Sequence, residues 1–209
     1  MYLPLFIEME GKKVLVVGGG EVALRRAKTV LEAGAEVTLI APQREPGWEE
    51  LSVQWRKEKY EDQPVDGYDL VIIATDNSAV NETLNRHCKE KKIPVNDATK
   101  GTEGTVIFPG VVRSGGFTAA VTSEGKTPFL TRKVKGDIAA LLSEYDEDLL
   151  RLLSETRSYI IENYPREKET LLRKLAKVPA RQIREKGDRY AITDWLQREQ
   201  TGINSDQTD

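Results

Sequence analysis

The run Lys13–Val17, apolar from Val14 onward and flanked by Gly11 and Gly18, reads as a parallel strand buried on both faces. It leads into Gly18-Gly19-Gly20 and then a segment with Val22, Ala23, Ala27, Val30 and Leu31 at helical spacing, closed by Gly34 as a C′ residue. Glu36–Ala41 reads as a second strand stopped by Pro42, and Val53–Tyr60 as a weaker one anchored by Trp55. Leu70–Ala74 is a further buried strand, after which Asp76-Asn77-Ser78 offers N-caps for a helix through about Lys91. Ile93–Asn96, Gly104–Val112 and Phe117–Thr122 complete the strands, the last two separated by Ser114-Gly115-Gly116. This alternation predicts an α/β fold with a doubly wound, Rossmann-like parallel sheet.

The period then changes. Thr127-Pro128 is a helix start with proline at the first helical position. Leu130, Val134, Ile138, Leu141 and Leu142 form one apolar stripe. Leu149, Leu152, Leu153, Ile160 and Ile161 form another, broken at Pro165; Leu171, Leu172, Leu175 and Val178 make a third helix ending before Pro179. The final third is therefore expected to be helical, with a polar, frayed tail over Gln200–Asp209 and no internal repeat. The division expected is 1–112 for the sheet domain, 113–142 for a dimerisation segment and 143–209 for a small helical domain.

Composition narrows the function classes. At 209 residues with 39% apolar and 31% charged positions, the chain can build a core. No apolar stretch approaches the ~20 residues that span a bilayer, and Met1–Glu8 lacks the basic start of a signal peptide, so no membrane partner is expected. The single cysteine, Cys88, suits a reducing cytoplasm, and the single histidine, His87, leaves no material for a His-based metal site or a Ser-His-Asp triad. His87 and Cys88 point ~100° apart on a helix, so they do not share a metal, and none is expected. A net charge of −3 argues against nucleic acid as a partner. From Lys100 to Lys135, however, six bases (Lys100, Arg113, Lys126, Arg132, Lys133, Lys135) face two acids (Glu103, Glu124). That local surplus suits either a solvated face or an anionic ligand.

Gly18-x-Gly20-x-x-Ala23 lies between a strand and a helix, where a dinucleotide fingerprint belongs. The first glycine allows the tight turn, the second lets a pyrophosphate approach the backbone, and Ala23 is small enough for close helix–strand packing. The helix N-terminus offers free N–H groups and a positive dipole end. The carboxylate that takes the ribose hydroxyls at the end of the second strand is absent: Leu39-Ile40-Ala41-Pro42-Gln43 holds no acid. Gln43 can bond the ribose, whereas Arg44 suits a 2′-phosphate but has Glu45 beside it, so spacing leaves NAD and NADP unseparated.

Val14–Arg26, Gly34-Ala35-Glu36-Val37-Thr38, Ala74-Thr75-Asp76, Val95-Asn96-Asp97, Phe108-Pro109 and Val121–Pro128 together resemble the siroheme synthase family, specifically its precorrin-2 dehydrogenase module. The resemblance covers about Leu3 to Leu142. It implies oxidation of precorrin-2 by NAD to sirohydrochlorin, with iron insertion at the same site in some members. It also implies a cofactor site of Gly18, Gly20, Glu21, Val22, Pro42, Gln43, Thr75 and Asp76, and a key carboxylate at Asp97. The family too lacks the second-strand acid.

Weighed singly, Asp97 follows a short buried strand, at the sheet edge where ligands of open α/β folds bind, and a carboxylate there can take a proton as hydride leaves the substrate. Equally, Asn96-Asp97 suits a turn. Asp76 reads first as the N-cap of its helix. Ser123 suits local turn chemistry, and the resemblance places it near the tetrapyrrole. Arg113, Lys126, Arg132 and Lys133 are candidates for holding the carboxylates of precorrin-2. The segment 113–142 is hard to bury within one small subunit, which predicts a homodimer. A bifunctional dehydrogenase and ferrochelatase, and a non-catalytic NAD-sensing module, stand as alternatives.

Overall fold

The computed structural model describes residues 2–99 and 103–201, the side chains of 199–201 excepted. Most of the tail expected to fray, and Lys100 of the basic segment, lie outside the described residues. The chain forms two compact units, one of residues 1–108 with 124–126, the other of 109–123 with 127–209.

The first unit is a five-stranded parallel sheet in the order β3-β2-β1-β4-β5. Its strands are β1 (Lys13–Val17), β2 (Glu36–Ile40), β3 (Val53–Arg56), β4 (Leu70–Ile73) and β5 (Val95–Asp97). Helix α1 (Glu21–Leu31) follows β1 and α2 (Ser78–Glu90) follows β4. Successive residues of a strand point to opposite faces, so β1 feeds two cores at once. Val14 and Val16 pack with Ala23, Ala27 and Val30 of α1, while Leu15 and Val17 pack with Leu84 and Cys88 of α2. Each fully buried aliphatic side chain contributes about 1.5–3 kcal/mol. Two-sided burial therefore explains the unbroken apolar runs of β1 and β4. Because β2 and β4 flank β1 on opposite sides, the crevice outside the carboxyl ends of β1 and β4 is a topological switch point.

Two strands differ from expectation. The run from Val53 is a strand only to Arg56 and then turns away, with Tyr60 buried against the α2-side core. Residues 104–109 are not a strand: Val106 and Phe108 pack on the α1-side core, and the strand begins beyond Pro109. A proline has no N–H for a ladder, so pairing starts at the residue after it.

In the second unit, β6 (Gly110–Ser114) and β7 (Phe117–Val121) form an antiparallel hairpin turned by Gly115 (φ +55°) and Gly116. Helix α3 (Pro128–Leu142) follows it. Helices α4 (Glu147–Asn163), α5 (Lys168–Leu175), α6 (Ala180–Lys186) and α7 (Arg189–Thr201) enclose a core that includes Leu149, Ile160, Leu171, Ile183, Ile192 and Leu196. None of the residues of α3 is buried, and Phe129, Leu130, Val134 and Leu141 are exposed.

Candidate functional site

The Gly18-Gly19-Gly20 turn occupies the switch point. Gly18 has φ +115°, and a Cβ placed on it would stand 2.1 Å from the carbonyl oxygen of Ala74, at the end of β4. A Cβ on Gly19 would meet the carbonyl oxygen of Gln43 at 2.1 Å. Around Gly20 there is open space: apart from its neighbours in the chain and the helix, no heavy atom of the described residues lies within 4 Å of such a Cβ. The first two glycines are thus required by the fold, and the third presents bare backbone to the crevice.

Helix α1 begins at Gly20 without a side-chain cap, which leaves first-turn N–H groups available at the positive end of the helix. The turn is held from behind. The Gly19 carbonyl accepts from the Trp48 indole Nε1–H at 3.0 Å and from the Glu45 N–H at 2.9 Å. Trp48 itself is wholly buried.

A cleft of about 820 Å³ opens over this turn. Of the cofactor residues expected, Gly18, Gly20, Pro42, Gln43, Thr75 and Asp76 line it together. Glu21 and Val22 do not line it; both are exposed in the first turn of α1 and offer backbone N–H groups at its rim. Arg44, Lys59, Tyr60 and Glu61 also line the cleft. The last three give no such signal in the sequence, because the stretch to Tyr60 reads as strand; the strand ends at Arg56, and the chain beyond it reaches the crevice. Arg44 stacks on Trp55, its guanidinium 4.2 Å from the ring centroid, and the Trp55 Nε1–H donates to the Ala41 carbonyl at 3.0 Å. A bare, capless helix start facing a turn in which side chains would clash is the arrangement a pyrophosphate fits, so the residues present suit a dinucleotide.

Asp76 does not cap α2. The cap is Asn77, whose Oδ1 accepts from the Ala79 and Val80 N–H groups at 3.1 and 3.2 Å. Asp76, one residue early, is exposed at the cleft wall instead.

Asp97 ends β5, at the carboxyl edge of the sheet, and is 2% exposed. Its Oδ1 accepts from the Thr99 N–H at 2.9 Å and the Thr99 hydroxyl at 2.7 Å, and its Oδ2 from the Asn85 amide at 3.3 Å. The carboxylate does not line the cleft, but hydrogen bonds lead to it from the cleft wall. The Thr75 hydroxyl donates to Asn81 Oδ1 at 2.6 Å, and Asn81 Nδ2 donates to the Thr75 carbonyl at 2.9 Å and to the Thr99 hydroxyl at 3.3 Å. Asn81 and Asn85 are both buried and one turn apart on α2, and nothing in the sequence marks them.

The basic residues are divided between the units. Lys126, with Glu124 at 3.9 Å, belongs to the first; Arg113, Ser123, Arg132 and Lys133 belong to the second. Arg113 and Arg132 are exposed, and Lys133 pairs with Asp137 at 2.8 Å one turn along α3. The Ser123 hydroxyl accepts from the Thr127 N–H at 3.0 Å and the Thr131 hydroxyl at 2.9 Å, so it ties down the start of α3.

Comparisons with known proteins agree with this geometry. A family model described as putative NAD(P)-binding matches residues 5–110. A precorrin-2 dehydrogenase of Bacillus subtilis is 35% identical over 144 residues, covering 67% of this chain and 88% of that protein. A siroheme synthase of Pseudomonas entomophila is 35% identical over 173 residues, 78% of this chain; the chain spans only 36% of that protein's length. Among solved structures, SirC, a precorrin-2 dehydrogenase, superposes with a TM-score of 0.67 at 27% identity, over 88% of this chain and 98% of that one. Glycine turn, strand order and relatives converge: the chain belongs to the NAD-binding precorrin-2 dehydrogenase family.

Proposed function

We propose that the protein oxidises precorrin-2 to sirohydrochlorin with NAD as electron acceptor, a step of siroheme synthesis. The observation that carries the reading is the open backbone at Gly20 above a capless α1, in a cleft that also holds Pro42, Gln43, Thr75 and Asp76. The nicotinamide of a bound dinucleotide supplies the hydride acceptor. The chain's own part is to hold the pyrophosphate on the first-turn N–H groups of α1 and to exclude a side chain from that approach. Gln43, three residues past the end of β2, is assigned to a ribose hydroxyl in place of the usual acid. Asp97 takes the proton that the macrocycle releases as hydride departs. Arg113, Ser123, Lys126, Arg132 and Lys133 are assigned to the anionic tetrapyrrole, a polycarboxylate that suits dispersed bases.

A homodimer is part of this proposal. Its support is α3, a helix without a buried residue that exposes Phe129, Leu130, Val134 and Leu141. Isolated apolar side chains are ordinary on a surface, but four on one helix mark a face that another surface covers.

The test is anaerobic incubation of precorrin-2, NAD and protein, with NADH followed by absorbance. The wild type is expected to form NADH in step with sirohydrochlorin, and Asp97→Ala to keep NAD binding while losing turnover by roughly 10²-fold. Nucleotide binding without any turnover would overturn the reading.

A further inference from the structure

Arg44 lines the cleft as a cation held by its face. Its guanidinium carbon stands 4.2 Å from the centroid of Trp55, and that indole is itself anchored, donating from Nε1 to the Ala41 carbonyl at 3.0 Å. Stacking occupies a face of the guanidinium, whereas its five N–H donors lie in the plane. Among the described residues those donors make no hydrogen bond and no ion pair. A second cation, Lys57, stands over the same indole, its Nζ 5.7 Å from the centroid.

The place of the residue says what such a fork can meet. A Cβ on Gly19 would lie 2.9 Å from the Arg44 Cα, and the Glu45 N–H donates to the Gly19 carbonyl, so Arg44 is carried on chain laid against the glycine turn. It follows Gln43, four residues past the end of β2. In dinucleotide-binding sheets this is the side that meets the adenosine ribose. A carboxylate there takes the free 2′-hydroxyl and repels a 2′-phosphate, whereas an arginine nearby accommodates the phosphate. With the amide of Gln43 in place of the carboxylate, the repelling charge is gone from that position. Three acids also line the cleft: Glu45, exposed beside Arg44 and not ion-paired with it; Glu61, two residues after Lys59; and Asp76, beyond β4 on the other side of β1.

We propose that Arg44 is a specificity-determining residue that grips the 2′-phosphate of NADP, so that the protein takes the phosphorylated dinucleotide as well as NAD. This deepens the functional reading above and rests on a dinucleotide being seated on the glycine turn. The guanidinium is pre-organised: with Trp55 holding its face, little freedom is lost when its edge meets two phosphate oxygens. Either dinucleotide accepts the hydride at its nicotinamide, and the 2′-phosphate takes no part in that step.

The test is calorimetric titration of the full chain with NAD, NADP and two fragments without nicotinamide, adenosine 5′-monophosphate and adenosine 2′,5′-bisphosphate. The wild type is expected to bind NADP no more than about tenfold more weakly than NAD, and the bisphosphate at least about tenfold more tightly than the monophosphate. Arg44→Met, which keeps packing on Trp55 without the charge, should weaken NADP and the bisphosphate at least about tenfold more than it weakens NAD. Arg44→Lys, the second variant should Arg44→Met not fold, keeps the charge without the fork and should shift the preference the same way by less. A wild type that binds NAD more than about tenfold more tightly than NADP would overturn the proposal. So would an Arg44→Met that weakens both dinucleotides equally, the result of a merely structural stack. If neither dinucleotide binds, the seating on the glycine turn fails and the proposal with it. If both bind and precorrin-2 is not oxidised, the functional reading alone fails, and the affinities still decide the role of Arg44.

Discussion

The indole of Trp48 donates to the carbonyl of Gly19 across 3.0 Å, and this bond turns the Gly19–Gly20 peptide. In a trans peptide the N–H points opposite to the C=O. Anchoring the Gly19 oxygen toward Trp48 and Glu45 therefore directs the Gly20 N–H away from them.

Trp48→Phe keeps an aromatic side chain but removes the five-membered ring with its donor, while the Glu45 N–H still satisfies the carbonyl. A stability loss of more than about 1 kcal/mol in urea is expected, the net worth of one hydrogen bond plus the cavity left at a wholly buried site. NAD affinity, measured by calorimetry, should weaken as well, since the turn loses one of its two braces.

The two outer glycines of the turn should separate under substitution. Gly18→Ala meets both a positive φ and the Ala74 carbonyl, so it should unfold more readily by at least the ~1–3 kcal/mol of backbone strain. Gly20→Ala has room for its methyl and should match the wild type in thermal unfolding. It should nevertheless bind NAD at least about tenfold more weakly, a loss of roughly 1.4 kcal/mol, because the methyl stands where the phosphates approach. Equal affinity for Gly20→Ala would place the pyrophosphate elsewhere.

Removing the cap of α2 tests whether Asn77 rather than Asp76 holds its first turn. Asn77→Ala should destabilise the protein by about 1 kcal/mol, whereas Asp76→Ala should leave stability within about 0.5 kcal/mol. Chemical denaturation of the two variants side by side distinguishes them.

Stability should fall on the alkaline side. Burial pushes the Cys88 thiol from 9.0 up to about 11, and burial, with the Asp62 charge adding to it, pushes the Tyr60 hydroxyl from 10.0 up to about 12. Both groups are kept protonated by the fold, so their contribution is complete below pH 9, the lower of the two unfolded values, and is lost as pH rises through about 11 and 12. Denaturation midpoints measured from pH 8 to 12 should decline over that window, and Cys88→Ala with Tyr60→Phe should flatten the decline. A flat wild-type profile would show that these groups ionise freely in the folded protein.

What could be read from the chain was local and periodic. The glycine turn, the two-face strands and the helices α1 to α5 declare themselves through spacing, because burial on a strand or helix imposes a period on the residues that build it. The misreadings have physical reasons too. Gly104–Val112 looks like a strand because Val106 and Phe108 alternate, yet they reach the core from an irregular segment that ends at Pro109. Asp76 and Asn77 are equally good caps by type, and only the path of the chain after β4 selects the second. Asn81 and Asn85 carry no signal at all: an asparagine on a helix is written the same way whether it faces water or a buried carboxylate. The assignment of bases to the tetrapyrrole likewise rests on resemblance, since charge along a chain does not say which surface gathers it.

Glu45 and Trp48, the braces on Gly19, belong to the same short loop as Pro42 and Gln43, which border the cleft after β2. On the proposed reading, one loop therefore serves both the ribose and the pyrophosphate of the coenzyme. An attempt to convert the protein between phosphorylated and unphosphorylated dinucleotides by grafting a foreign loop here must conserve the spacing from Gln43 to Trp48. A graft one residue longer or shorter would trade a change of preference for the loss of both coenzymes.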